Sequence, residues 1–144
     1  QNGGEFVVLL FLAAWGNDTL AYCTGMLIGK HKMSPILSPK KSIEGLIGGI
    51  VGAAILGGLY GMYLNTYIRF SFNPVTMFPV ICGLGGAVSV IGDLAASAIK
   101  RDSGIKDYGT LIPGHGGILD RFDSIIFIAP VIYYLTVMIS GGAI

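Results

Sequence analysis

Asp120 and Asp123 stand three residues apart, just after the glycine-rich run Pro113-Gly114-His115-Gly116-Gly117. On a helix such a pair shares one face, close enough for both carboxylates to hold a single cation. Magnesium is the hard cation that carboxylates favour when phosphates and water supply the other ligands. The glycine run cannot continue a helix, and its backbone N–H groups can approach an anion. Lys100, Arg101, Lys106 and Arg121 lie around it. A glycine turn alone is common. Flanked by cations and followed by paired acids, it points to phosphate and metal.

A second set of residues has helical spacing. Ser89, Asp93, Ser97 and Lys100 fall at i, i+4, i+8 and i+11 and form one polar stripe. Asp93 would lie about 10 Å from Lys100 along the axis. Asp18, Tyr22, Gly25 and Gly29 share a face by the same arithmetic, with Asp18 about 18 Å from Lys30 on an unbroken helix. For any one acid, a structural salt bridge to a nearby lysine is sufficient explanation. Asp18, Asp93, Asp107, Asp120 and Asp123 together, within or beside apolar segments, are better explained by function, because an ionised carboxylate there is costly.

The elements that must position these groups are membrane helices. The 144 residues are 53% hydrophobic and 12% charged, with mean hydropathy +0.73; soluble domains carry about 25% charged residues. Four stretches approach the ~20 residues a helix needs to cross a bilayer: Phe6–Ile28, Ile43–Leu64, Val75–Ile99 and Phe122–Ile139. The expected fold is an all-α polytopic bundle of about four transmembrane helices with two cytoplasmic connectors. The first connector (29–42) carries Lys30, Lys32, Lys40 and Lys41, and the third (100–121) carries Lys100, Arg101, Lys106 and Arg121. The second holds only Arg69. Four crossings put the first and third connectors on one side, which the positive-inside rule makes the cytoplasm. In the second stretch, Gly45/Gly49, Gly48/Gly52 and Gly57/Gly61 keep a small-xxx-small spacing, expected to serve helix packing or a dimer face. Cys23 and Cys82 lack metal-ligand spacing and are expected to be packing residues.

At this point the residues carry a resemblance. Ser97, Lys100-Arg101, Lys106-Asp107, Pro113, His115-Gly116-Gly117, Asp120-Arg121 and Asp123 are similar to the long signature of the phosphatidate cytidylyltransferases, or CDP-diacylglycerol synthases. The block from Gly29 to Gly45, with Ser38-Pro39-Lys40-Lys41 and Glu44-Gly45, resembles that family's other cytoplasmic loop. The stretches Asn17–Tyr22 and Gly92–Ser97 also fit, so the likeness runs over nearly the whole chain.

The resemblance implies that CTP and phosphatidic acid yield CDP-diacylglycerol and pyrophosphate with Mg2+, in a homodimer embedded in the bilayer. It implies no nucleic-acid partner, and a bacterial inner membrane with the active site facing the cytoplasm. Asp93, Asp120 and Asp123 would hold the metal. Lys40, Lys41, Lys100 and Arg101 would steady triphosphate or lipid phosphate. Ser97 and His115 would join them in catalysis, His115 by orienting pyrophosphate or moving a proton. Lys106, Gly116, Gly117 and Arg121 would contact substrate. Members carry further membrane segments before the equivalent of Asn17, so residues 1–144 are expected to be one membrane catalytic domain, the C-terminal part of a longer fold.

Two rivals stand beside this reading. One is a CTP-dependent enzyme acting on another lipid phosphate, such as an isoprenoid glycerol phosphate. The other is a transporter with Asp18 and Asp93 as an ion path, which would not need the dense third connector and would show an inverted repeat. The DG-x2-AR pattern of CDP-alcohol phosphotransferases does not occur.

Overall fold

The computed structural model describes residues 3–34, 38–70, 72–105 and 119–139. In chain order the elements are α1 (Gly3–Phe11), α2 (Asn17–Ile28), β1 (Lys32–Ser34), β2 (Ser38–Ser42), α3 (Ile43–Tyr67), α4 (Pro74–Asp102) and α5 (Leu119–Ile139). A π-helical turn over Leu12–Gly16 joins α1 to α2 in one rod. Gly4–Ile28, Ile43–Tyr67 and Pro74–Asp102 are each long and apolar enough to cross a membrane. The fourth rod, α5, has 21 residues, with its apolar part at Ser124–Ile139. The four rods fall where the apolar stretches predict them, and the all-α polytopic class holds.

Local chemistry sets the helix ends. Asn73 caps α4 by accepting from the Val75 N–H at 3.0 Å, with Pro74 pre-set at the first helical position. Ser42 caps α3 by accepting from the Gly45 N–H at 3.1 Å. At the far end of α4, Ile105 N–H donates to Lys100 carbonyl at 2.9 Å and Gly104 N–H to Arg101 carbonyl at 3.1 Å. Gly104, at φ +68°, supplies the left-handed residue this Schellman closure requires. The cap carries α4 past the Ile99 boundary read from hydropathy, and Lys100 and Arg101 complement the negative end of the helix dipole.

Lipid is as apolar as leucine, so these helices associate through close packing rather than through escape from water. Ile47, Val51, Ile55 and Leu59 form an exposed stripe on α3. Gly45, Gly49, Ala53, Gly57 and Gly61 form its buried one. A Cβ on Gly49 would sit 2.7 Å from Asn17 Oδ1 of α2, and one on Gly57 would sit 2.7 Å from the Phe78 carbonyl of α4. The glycine spacing therefore serves packing inside the chain, with α2 on one half of α3 and α4 on the other. At the end of α3 away from the hairpin, Phe78 is fully buried among Phe6, Tyr60, Phe70 and Phe72, with ring centroids 5.7–6.3 Å away. There the Tyr60 hydroxyl donates to the Glu5 carboxylate.

Two expectations change. Part of the first connector is an antiparallel hairpin, paired Lys32 with Ser42 and Ser34 with Ser38. Cys82 is buried as a packing residue, but Cys23 is exposed on α2.

Candidate active site

The hairpin is held against the bundle at its base. His31 Nδ1 lies 2.6 Å from Glu44 Oε1, and the His31 N–H points to both carboxylate oxygens at 3.2 Å. The Ile43 N–H donates to the His31 carbonyl at 2.9 Å. Gly25 of α2 leaves room for this base, since a Cβ there would lie 2.9 Å from the Ser42 hydroxyl. These contacts fix the backbone of β2 where it enters α3, and Lys41 is the last residue before the cap.

From that anchor Lys41 reaches across to α4. Its Nζ lies 2.5 Å from Asp93 Oδ2, with the two side chains 33% and 16% exposed. Both line a cavity of about 530 Å³ at the hairpin end of the bundle. Asp18, Tyr22 and Gly25 of α2 line it too, as the shared helical face predicts, together with Met26 and Met33. The cavity thus gathers two carboxylates and one ammonium from three parts of the sequence. Such groups can be kept ionised beside lipid only in a space that protein and water line.

The other residues singled out from the sequence divide into two groups. Ser97, Lys100 and Arg101 continue along α4 beyond Asp93 and are not among the residues lining this cavity; Arg101 is exposed in the last turn. Asp120, Arg121 and Asp123 fall on the first turns of α5, which keeps the two acids at the i, i+3 spacing of one helix face, but their side chains lie outside the described residues. Lys40 is likewise described only as part of β2. Lys106, His115, Gly116 and Gly117 lie outside the described residues.

Sequence reasoning gave Asn17 no place in the site. It is fully buried, lines the cavity, and has no hydrogen-bond partner for either amide atom among the described residues. Ser89, one turn inward from Asp93, is also fully buried with its hydroxyl unpartnered among those residues. Leaving such groups unpaired costs about 1–3 kcal/mol each. The available signal for Asn17 was a carboxamide inside an apolar segment, next to an acid.

Whether the cavity suits magnesium can be judged from its donors. Among the described residues no group of three or more His, Cys, Asp and Glu forms a cage. Magnesium bound with phosphates needs only one or two protein carboxylates. Asp93 supplies one, and it already holds a cationic group at 2.5 Å. The donor set fits.

Membrane-crossing helices around a charged cavity define an integral membrane protein with a polar site at one end of its bundle. Residues 1–139 match the model of the Cytidylyltransferase family, and the chain belongs to that family. It is 38% identical over 137 residues to a phosphatidate cytidylyltransferase of Staphylococcus haemolyticus, covering 95% of this chain and 51% of that protein. Identity to the Thermotoga maritima phosphatidate cytidylyltransferase is 37% over 139 residues, 96% of this chain and 52% of the relative. For the Synechocystis protein of the same name it is 44% over 133 residues, 92% of this chain and 43% of the relative. The chain spans about half the length of the curated relatives it matches.

Proposed function

We propose that the full-length protein is a phosphatidate cytidylyltransferase. A phosphate oxygen of phosphatidic acid attacks the α-phosphorus of CTP, the α–β P–O bond breaks, and pyrophosphate leaves with the electron pair. The observation that carries this reading is the meeting of Lys41 and Asp93 in one cavity, in a chain of the cytidylyltransferase family. Two anionic substrates repel each other, so catalysis is mostly positioning and charge neutralisation.

Mg2+, when bound, would neutralise triphosphate charge and orient the reacting oxygens. Asp93 is the described residue that would hold it, with Asp120 and Asp123 from α5 as the further acids. Lys41 offers an ammonium to phosphate from a fixed backbone, and Lys40, Lys100, Arg101, Lys106 and Arg121 would add further positive charge. Ser97, His115, Gly116 and Gly117 complete the proposed substrate contacts. The enzyme would work as a homodimer.

Incubating membranes that contain the full-length protein with labelled CTP, Mg2+ and a panel of lipid phosphates tests the assignment. The expected product is CDP-diacylglycerol from phosphatidic acid. A marked preference for an isoprenoid glycerol phosphate would move the protein to another lipid, and no CTP-dependent product from any acceptor would refute the reading.

The cavity would face the cytoplasm of a bacterial inner membrane. The link after α2, the hairpin and the end of α4 carry Lys30, Lys32, Lys41, Lys100 and Arg101 at one end of the bundle, whereas Arg69 follows α3 at the other. Single cysteines replacing Lys40, Arg69 and Lys106 should react with an impermeant maleimide from opposite sides, positions 40 and 106 from inside and 69 from outside. Labelling of 40 and 69 from one side would sink this topology.

A further inference from the structure

We propose that Lys41 is a built-in competitor for the cation position at Asp93, so that metal binds firmly only when nucleotide phosphate draws the ammonium away. The inference deepens the function proposed above and rests on it. Lys41 Nζ sits 2.5 Å from Asp93 Oδ2, so the ammonium takes up the side of that oxygen from which a cation would be bound. A divalent ion on that oxygen and an ammonium beside it would repel each other in a cavity where the carboxylate is only 16% exposed.

The lysine can yield without unfolding anything. Its backbone is fixed by the Ser42 cap and the His31–Glu44 clamp, but its side chain is 33% exposed and opens on about 530 Å³ of space. The four-carbon stem can therefore swing the ammonium from Asp93 to an anion in the same cavity. A triphosphate would supply that anion and bring the metal with it. Binding of the two is then thermodynamically coupled, and each must tighten the other by the same factor. Metal alone would be held weakly, and a lysine freed by metal would be ready for phosphate.

The test uses the full-length protein in lipid nanodiscs, with Mn2+ as the probe and binding read by calorimetry and electron paramagnetic resonance. Without nucleotide, Lys41→Met and Lys41→Gln should bind Mn2+ about tenfold more tightly than wild type, within the usual range of coupling factors. Lys41→Arg should stay near wild type, and adding Asp93→Asn should abolish the gain. With α,β-methylene-CTP, which cannot be cleaved between those phosphates, wild-type affinity for Mn2+ should rise about tenfold and that of Lys41→Met much less. Circular dichroism and thermal melting establish that each variant is folded. Unchanged or weaker nucleotide-free Mn2+ binding in both folded neutral variants would overturn the competition. Failure of the analogue to bind wild type would instead refute the nucleotide assignment, and the nucleotide-free arm would still decide what Lys41 does at Asp93.

Discussion

Asp93→Asn should lower CTP-dependent formation of CDP-lipid by roughly a thousandfold, a loss of about 4 kcal/mol of transition-state stabilisation. The substitution keeps the size of the side chain and removes its charge. It takes from the cavity the acid that pairs with Lys41 at 2.5 Å and that would hold the metal. A purely structural role makes a different forecast. If Asp93 served only to anchor Lys41, then Lys41→Met would be as damaging as Asp93→Asn, and the double variant would be no worse than either. Rates in the full-length protein, with magnesium titrated for each variant, separate the two through a double-mutant cycle. Asp93→Asn is expected to be the more damaging single change and to need more magnesium for half-maximal rate. A rate within a few-fold of wild type at ordinary magnesium would confine Asp93 to the ion pair.

Asp123→Asn is expected to cost about as much, roughly a thousandfold in rate. If the third connector only oriented the protein in the membrane, this change would be nearly silent, because acids contribute little to the positive-inside rule. Helix α5 begins at Leu119, so Asp120 and Asp123 lie in its first turns, where the i, i+3 spacing puts both on one face. Under the proposed function, that spacing would let the pair share a cation. Lys106→Gln should be milder, a loss of about tenfold or less, since one attracting charge among several is removed. The same labelled-CTP assay checks both variants. Near-normal turnover by Asp123→Asn would return the connector to a topological role.

Much of this protein is legible in the residues because the deciding effects are local. Apolar runs of helical length locate the four rods to within a few residues, since a helix in lipid must satisfy its own backbone over the whole span. Lysines distinguish the two ends of the bundle. The i+4 steps from Asp18 to Tyr22 and from Ser89 to Asp93 place side chains on common faces before any packing is known. The glycine spacing of α3 announces close contact as well.

What those residues touch is decided by the tertiary structure. The glycine seam of α3 could have served a second copy; instead Gly49 meets Asn17 and Gly57 meets Phe78. Lys40 and Lys41 are equivalent in a reading by composition. In the structure it is Lys41, the residue before the Ser42 cap, that meets Asp93. The π-helical turn before Asn17 leaves no compositional signal, and only the packed helices bury its carboxamide between α3 and α4. Helix length and face follow from neighbours within a turn or two. The cavity depends on contacts such as Lys41 with Asp93, 52 positions apart, which exist only once the helices have packed.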